Sequence, residues 1–351
     1  MPTLFDPVRL GALELPNRIV MAPLTRARAT DDRIPTPVMA EYYVQRASAG
    51  LILTEATIVS PQGAGYARTP GIYSDAQVEA WKPITEAAHK AGGRMVMQLW
   101  HVGRISDPSL LGGELPVAPS AIQPAGHVSL LRPMRPYVTP RALDIGELPG
   151  IVEAFRRGAE NARKAGFDGV EIHGANGYLL DQFLQDKTNR RTDAYGGPVE
   201  NRARLMLEAV DAAVSVWGAA RVGLHLAPRG DSHDIGDSDP KATFGYVARQ
   251  AGKRGLAFIF TREHPDAPRL TPHLKAEFGG ALITNEGLDA AKAQADLDNG
   301  LADAVAFGKA YIANPDLVAR LRRGAALNPL VPETIYADGA LGYTDYPPLA
   351  G

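Results

Sequence analysis

The sequence predicts a single (β/α)8 barrel domain over residues 1–351. Three observations lead to this fold class: the length of the chain, eight short apolar runs, and the amphipathic segments between those runs. A chain of 351 residues fits one barrel with insertions, because such barrels use about 250 residues and often more. Hydrophobic residues make up 45% and charged residues 22%, an ordinary globular composition that excludes bulk disorder.

The eight apolar runs are the predicted strands, and each is nearly continuous in hydrophobic residues. Parallel strands that are covered on both faces of a sheet show this pattern. The runs span 18–23, 51–56, 95–100, 169–174, 222–227, 258–262, 281–285 and 304–308. A doubly wound sheet would use fewer strands and would need a glycine-rich turn after the first, where this chain has Pro23, Leu24 and Thr25.

The segments between the strands repeat their apolar residues at helical spacing. In 146–166 the predicted buried face consists of Ile151, Phe155, Ala159 and Ala162. Four such segments end in glycine, which favours helix termination; they span 146–166, 199–218, 243–255 and 288–300. The alternation of strand and helix is the pattern that a barrel requires.

One stretch, 103–145, interrupts this alternation between the third strand and its helix. It is rich in proline and glycine. Long irregular segments of compact domains are usually functional, so we expect 103–145 to be a lid or a substrate-shaping insertion.

Composition and charge exclude several chemistries and partners. The chain has no cysteine, which rules out thiolate catalysis, disulfides and iron–sulfur clusters. A net charge of −2 without a run of Lys or Arg predicts no nucleic-acid partner. The sequence shows neither a signal-peptide pattern nor the roughly 20 apolar residues of a membrane helix. We expect a cytoplasmic protein, monomeric or homodimeric, that acts on a small molecule.

The carboxyl ends of the predicted strands are where a barrel of this type builds its active site. They carry Pro23, Leu24, Thr25, Ala56, Gln98, Trp100, His173, Asn176, His225, Asn285, Gly308 and Lys309. This set contains no cluster of carboxylates. It therefore argues against a metal-dependent hydrolase and predicts no metal site.

The segment HGANGY, 173–178, is the most informative of these strand ends. His173 and Asn176 are neutral hydrogen-bond donors that can polarise a carbonyl oxygen and stabilise an enolate. Tyr178 has a phenol that can deliver a proton to carbon. Together they indicate addition of a nucleophile to a conjugated alkene.

The same segment extends into a longer resemblance. Residues 173–208, HGANGYLLDQFLQDKTNRRTDAYGGPVENRARLMLE, resemble the signature of the old yellow enzyme family of FMN-dependent ene-reductases, which includes N-ethylmaleimide reductase-like proteins. Further matching blocks, in the same order along the chain, span 4–29, 39–63, 71–81, 95–104, 302–321 and 342–349. The resemblance implies a (β/α)8 barrel with FMN at its C-terminal face and NADPH or NADH as reductant. It also implies electron-poor alkenes as substrates, namely enones, enals, maleimides and nitroalkenes, with ping-pong kinetics.

The resemblance implies a set of cofactor contacts. Pro23, Leu24 and Thr25 lie along the flavin ring, with the Thr25 hydroxyl at its O4/N5 edge. Ala56 permits close approach of the ring, and Gln98 binds the pyrimidine edge. The phosphate lies against Asn285, Glu286, Gly287, Gly308 and Lys309, with the Glu286 carboxylate directed away from it.

The resemblance also implies roles toward the substrate. His173 and Asn176 hold the carbonyl oxygen, and Tyr178 protonates the α-carbon after hydride reaches the β-carbon. Tyr66, Trp100 and Tyr343 line the substrate cavity.

Two positions depart from the usual family pattern. At the end of the fifth strand, relatives usually read R-L-S/A-P with the arginine at flavin N1/O2, but this chain has His225. An imidazole lacks the fixed charge of a guanidinium, which leads to the hypothesis of weaker FMN retention, a lower flavin potential, or a His225 kept protonated by the flavin. Lys309 replaces a usual arginine and retains the charge. Arg262, after the sixth strand, is a candidate for contact with a ligand's negative group.

Three other interpretations stay open at this point. The first is a reductase of nitrate esters or nitroaromatics on the same scaffold. The second is a flavin-poor relative with impaired catalysis. The third is a barrel lyase or hydrolase without flavin, in which Lys309 forms a Schiff base.

Overall fold

The computed structural model describes residues 1–230, 232–264, 266 and 268–349, and these form the predicted barrel. The strands are β1 (Val8–Leu10), β2 (Leu13–Leu15), β3 (Ile19–Met21), β4 (Leu51–Leu53), β5 (Thr57–Ile58), β6 (Met95–Trp100), β7 (Val117–Ala118), β8 (Arg141–Ala142), β9 (Gly169–His173), β10 (Val222–Leu226), β11 (Phe258–Arg262), β12 (Leu282–Asn285) and β13 (Ala304–Phe307). The sheet runs in the order β4-β3-β13-β12-β11-β10-β9-β6, all parallel, and β4 pairs with β6 to close it. Each predicted strand thus becomes one barrel strand.

Helices surround the closed sheet. They are α1 (Pro37–Gln45), α2 (Asp75–Lys90), α3 (Leu148–Lys164), α4 (Leu179–Leu184), α5 (Val199–Arg202), α6 (Arg204–Trp217), α7 (Pro240–Arg254), α8 (Thr271–Phe278), α9 (Ala290–Asp298), α10 (Lys309–Ala313) and α11 (Leu317–Arg323). The predicted apolar face of α3 is buried against the barrel. The helix predicted over 199–218 is divided into α5 and α6 at Ala203, whose backbone stays close to helical values, so the interruption is slight.

The strands are apolar on both faces because the barrel has an inner and an outer core. In β3, Val20 belongs to the inner cluster, whereas Ile19 and Met21 belong to the outer cluster that packs on the helices. Gly223 of β10 is also required inside, since a Cβ there would lie 2.2 Å from the ring of Phe258. The same alternation determines which side chains can form the site, because polar residues at inward positions near the carboxyl ends of the strands face the barrel axis.

The insertion 103–145 has little regular structure beyond the short parallel pair β7 and β8. The buried guanidinium of Arg104 anchors its start by donating to the carbonyls of Ile122, His233 and Asp234. Farther along, Val128 packs in one apolar cluster with Trp100 and other residues near the C-terminal face of the barrel. The insertion therefore lies beside the predicted site, where a lid would have to be.

The chain after α11 folds back onto the loop that follows β3. Arg28 donates to the carbonyl oxygens of Ile335 and Leu341, and Tyr343 stacks on Tyr42 with ring centroids 4.0 Å apart. Among the described residues, none of the helices is long and apolar enough to cross a membrane.

Candidate active site

One cavity of about 620 Å³ opens at the carboxyl ends of the barrel strands. This volume lies within the roughly 300–1,000 Å³ of typical small-molecule sites. The sequence-predicted residues that line it are Pro23, Leu24, Thr25, Ala56, Gln98, Trp100, His173, Asn176, Tyr178, His225, Asn285, Glu286, Gly287, Gly308 and Lys309. Residues far apart in the chain meet here because parallel strands bring their carboxyl ends to one face.

Tyr66 lies in an adjoining cavity of about 530 Å³, which shares Thr25 and Tyr178 with the main one. Its ring stacks against Trp100, with centroids 5.7 Å apart. The insertion contributes part of the wall of this second cavity, through residues between 127 and 134. The second cavity is therefore a continuation of the site toward the insertion.

Tyr343 is not part of either cavity, which corrects the expectation that it lines the substrate site. Its side chain is fully buried against Tyr42, and the guanidiniums of Arg26 and Arg28 lie within 5.0 Å and 4.7 Å of its ring centroid. The packing of the C-terminal segment on α1 places the ring there. That packing depends on contacts between residues distant in sequence, so the residues around Tyr343 do not predict it.

His173 ends β9 and lines the cavity. Within the parts of the chain that the structure describes, its Nδ1 is buried and has no hydrogen-bond partner. Burial, aided by the charge of Arg262, lowers the pKa of His173 to about 3, so the ring is neutral at physiological pH. A neutral imidazole can donate one hydrogen bond to a ligand oxygen without bringing a charge into the barrel.

Tyr178 lies next to His173 and keeps its proton. Its hydroxyl is 3.0 Å from that of Tyr66, and its ring meets those of Trp100 and His173 edge-on. Burial raises the pKa of the Tyr178 phenol above its usual value. The phenol therefore stays protonated at neutral pH, and its role as proton donor to the substrate stays a prediction.

Gln98 and His225 line the cavity, and the fully buried Glu171 lies behind them against Gln98; we call these three residues the inner edge. The amide nitrogen of Gln98 lies 2.7 Å from Glu171 Oε2 and 3.0 Å from His225 Nδ1. A side-chain amide has two N–H donors, so both are used and Nδ1 of His225 is the acceptor. The proton of the neutral ring is then on Nε2, which is buried and unpartnered among the described residues.

The inner edge is uncharged despite its titratable groups. Burial lowers the pKa of His225 well below its usual value, and the nearby charge of Arg262 acts in the same direction. Burial also raises the pKa of Glu171 to about 8. At position 225 the inner edge therefore carries an imidazole that is neutral at physiological pH.

Glu171 is a site residue that the sequence interpretation missed. It sits in the apolar strand GVEIH, and its inward position follows from its spacing of two from His173. A carboxyl group within an otherwise apolar strand is itself a signal, because isolated buried charges are costly. Its partners on β6 and β10 could not be identified from that signal.

Three other residues, Asn176, Arg262 and Glu286, form the outer edge. Arg262 Nη1 donates to Asn176 Oδ1 at 2.9 Å, and Nη2 donates to Glu286 Oε1 at 2.7 Å. The carboxylate of Glu286 is thus paired with Arg262, and its direction relative to a phosphate stays a prediction. Arg262 lines the cavity, with its guanidinium held between two side chains.

The far end of the cavity is formed by the loops after β12 and β13. Lys309 begins α10, and the first amides of a helix have no partner within it. Asn285 is fixed by a 2.8 Å hydrogen bond from its amide to the carbonyl of Ala306. Backbone amides and a lysine are groups that suit a phosphate.

These residues fit FMN. The cavity is of ligand size, its inner edge has unpaired neutral donors, and its far end has amides and a cation. The described residues contain no group of three or more His, Cys, Asp or Glu that could hold a metal ion. In the acidic loop 229–240, Asp237 accepts from Arg202 and Thr243, while Asp231 lies outside the described residues.

Comparison with known proteins identifies the family. A family model described as NADH:flavin oxidoreductase / NADH oxidase matches residues 3–328. The chain is 43% identical to 12-oxophytodienoate reductase 1 of Oryza sativa subsp. japonica, over 98% of this chain and 92% of that protein. It is 41% identical to a protein of Leishmania infantum named probable flavin mononucleotide-dependent alkene reductase, over 98% and 97% of the two chains.

Solved structures agree with this assignment. The old yellow enzyme homologue from Zymomonas mobilis superposes with a TM-score of 0.96 at 47% identity, covering 99% of each chain. Morphinone reductase in complex with tetrahydroNAD superposes with a TM-score of 0.97 at 49% identity, covering 100% of this chain and 99% of that one. The chain therefore belongs to the old yellow enzyme family of FMN-dependent oxidoreductases.

Proposed function

We propose that this protein binds FMN in the cavity and reduces electron-poor alkenes with NADPH or NADH. The observation that carries the proposal is the convergence of three neutral donors, His173, Asn176 and Tyr178, on one wall of that cavity. FMN, when bound, supplies hydride that it has received from the nicotinamide.

The cofactor would be held by groups around the cavity. Gln98 presents its carbonyl oxygen as an acceptor, because both of its N–H donors are used within the inner edge. His225 presents Nε2–H as a donor, and the amides of Gly308 and Lys309 with the Lys309 ammonium receive the phosphate. Thr25, in the loop after β3, would contribute a hydroxyl beside the ring.

The substrate would be activated by donors that carry no charge. His173 and Asn176 donate to its carbonyl oxygen, where negative charge develops as the alkene is reduced. Fixed neutral donors stabilise that charge without the desolvation cost of an ionised imidazole. Tyr178 then transfers the proton that the α-carbon needs.

The relatives point to the substrate class. Their names refer to 12-oxophytodienoate, alkenes and morphinone, which are compatible with a conjugated carbonyl or a related electron-poor alkene. One neighbour was solved with tetrahydroNAD, which supports a nicotinamide as reductant. Tyr66 and Trp100 would contact the remainder of the substrate, and 103–145 would act as the lid of a single domain. A monomeric or homodimeric state and a cytoplasmic location stay predictions of the sequence.

The visible spectrum of the purified protein tests the proposal. We expect a flavin absorption band that bleaches with anaerobic NADPH or NADH and returns when cyclohexenone is added. A protein that takes up FMN and is reduced, but is not reoxidised by the enone, would contradict alkene reduction. A protein that retains no FMN after gel filtration would instead favour the flavin-poor interpretation, with His225 as its cause.

A further inference from the structure

We propose that Arg262 is a positioning residue that fixes the side-chain amide of Asn176, so that its N–H bonds rather than its carbonyl oxygen face the substrate. The inference rests on the proposed function, in which Asn176 donates to the substrate oxygen. It adds a residue of a different strand, β11, to the apparatus that activates the substrate.

The chemistry of the contact permits one orientation. A side-chain amide has an acceptor end and a donor end of nearly equal size, so its shape does not select between them. A guanidinium has only donors. The 2.9 Å hydrogen bond from Arg262 Nη1 therefore requires Oδ1 of Asn176 on the Arg262 side and leaves Nδ2 free to turn toward the cavity.

Arg262 is itself held in place from the other side. Its Nη2 donates to Glu286 Oε1 at 2.7 Å, so the guanidinium spans the gap between the loop after β9 and the loop after β12. The side chains of both Arg262 and Glu286 are 34% exposed, so the pair lies at the solvent-facing side of the site. A charged pair that is fixed at both ends is a more rigid support for Asn176 than water would be.

The backbone adds an independent observation. Asn176 and Glu286, the two partners of Arg262, both have left-handed backbone angles, with φ of 58° and 89°. Asparagine adopts such angles readily, whereas for a glutamate they are uncommon and persist where the surrounding structure imposes them. Both side chains contact the same guanidinium.

The consequence is specific to the reaction. An amide turned the other way would present Oδ1 to an oxygen that becomes negative, and two acceptors repel each other. Since Glu286 already balances the charge of Arg262, the guanidinium contributes to the substrate through Asn176 rather than as a free cation. Loss of Arg262 should therefore matter only while Asn176 is present.

The test is a double-mutant cycle on the FMN-loaded enzyme. The variants at position 262 are Arg262→Met, which removes the donor, Arg262→Gln, which retains an uncharged N–H donor, and Arg262→Lys, which retains the charge. Asn176→Ala is made alone and combined with Arg262→Met. Each enzyme is reduced with dithionite and reoxidised by cyclohexenone in a single turnover. Arg249→Met serves as the matched control, since Arg249 makes its ion pair with Glu277 outside the cavity.

We expect Arg262→Met to slow reoxidation by about tenfold, less than the roughly 100-fold that follows from removing an oxyanion donor outright. Arg262→Gln should recover most of that loss, and Arg262→Met should add nothing in the Asn176→Ala background. Binding of 4-nitrophenolate, an oxyanion that is no alkene substrate, should weaken in parallel. Reoxidation by ferricyanide, which needs no carbonyl donor, should be unchanged.

Three results would overturn the inference. Equal slowing by Arg262→Met with and without Asn176 would show an independent role. Rescue by Arg262→Lys but not by Arg262→Gln would show that charge, not orientation, is what Arg262 supplies. Equal slowing with ferricyanide would place the effect on the flavin. In contrast, a wild-type enzyme that cyclohexenone does not reoxidise would contradict the proposed function itself.

Discussion

The inner and outer edges of the cavity both contain titratable side chains, but the inner edge is uncharged and the outer edge carries an ion pair. At the inner edge, Glu171 is 0% and His225 3% exposed, and burial keeps both uncharged at neutral pH. At the outer edge, the side chains of Arg262 and Glu286 are each 34% exposed and form an ion pair. The two edges differ in solvent access. A side chain that is buried without a charged partner favours its neutral form, whereas a partly exposed ion pair keeps both hydration and a partner.

The two edges therefore have different roles in the proposed site. The uncharged edge offers a directed N–H from His225 toward the cofactor region, while the charged edge holds Asn176 in place. Between them lies His173, whose ring stacks on that of His225 with centroids 5.0 Å apart. A change at His173 should therefore have the largest effect, and changes confined to one edge should have smaller and more specific effects.

Replacing His173 by Ala should lower the rate of enone reduction by about 100-fold or more, because one of the two donors to the developing oxyanion is lost. Single-turnover reoxidation of the reduced enzyme by cyclohexenone measures this rate. FMN content and the unfolding transition of the variant serve as controls for folding. A loss of less than about threefold would mean that the substrate oxygen does not bind at His173.

Glu171→Gln tests whether the inner edge is uncharged. The pKa of Glu171 is raised to about 8 in the folded protein, above its unfolded value. The unfolded chain therefore releases this proton first, and Glu171 reduces the free energy of unfolding as pH rises from about 4.5 to about 8. We expect the wild-type apoprotein to lose roughly 3–4 kcal/mol more stability between pH 5 and pH 8 than Glu171→Gln does.

Urea unfolding at pH 5 and at pH 8 measures that difference. Asp181→Asn is a useful comparison, since burial raises the pKa of Asp181 to about 7, and its effect should appear over a similar range. Equal pH dependence of wild type and Glu171→Gln would mean that Glu171 is ionised in the folded protein. The inner edge would then carry a charge, and the contrast with the outer edge would disappear.

His225→Arg tests the other half of the inner edge. A guanidinium stays charged when buried beside a carboxyl group and would add a fixed cation next to the pyrimidine end of the flavin. We expect FMN to bind about tenfold more tightly, a gain of about 1.4 kcal/mol, and the flavin potential to rise. Titration of the apoprotein with FMN measures the affinity. If affinity and potential both stay as in wild type, His225 is not what limits the cofactor.

The sequence was sufficient for the fold and for most of the cavity wall. Continuous apolar runs predicted the eight strands because both faces of a barrel strand are buried, and the strand ends then identified Gln98, His173 and His225. Glu171 was missed because one carboxyl group in an apolar strand does not reveal its partners. The ion pair of Arg262 with Glu286 joins the end of β11 to the loop after β12, and only the closed barrel defines where these two lie relative to each other.

Tyr343 shows the opposite error, in which a motif suggested a contact that the structure does not have. Its hydroxyl is buried and without a partner among the residues described, and its ring is held between Tyr42 and two arginines. Removing an unpaired buried hydroxyl is close to neutral or stabilising by about 1 kcal/mol. Tyr343→Phe should therefore leave kcat/KM for the enone within about twofold of wild type.

The comparison variant for this smallest effect is Tyr178→Phe, whose hydroxyl faces the cavity and whose loss should slow the proton-dependent step by roughly 100-fold. Both changes remove one phenolic oxygen from an aromatic cluster. A difference in kcat/KM between them therefore reports where the hydroxyl lies, because the chemical change is the same. If Tyr343→Phe lowered kcat/KM while the free energy of unfolding stayed constant, the hydroxyl would have to reach the substrate. The C-terminal segment would then move into the cavity during the reaction, and the edges of the site would include residues near 343.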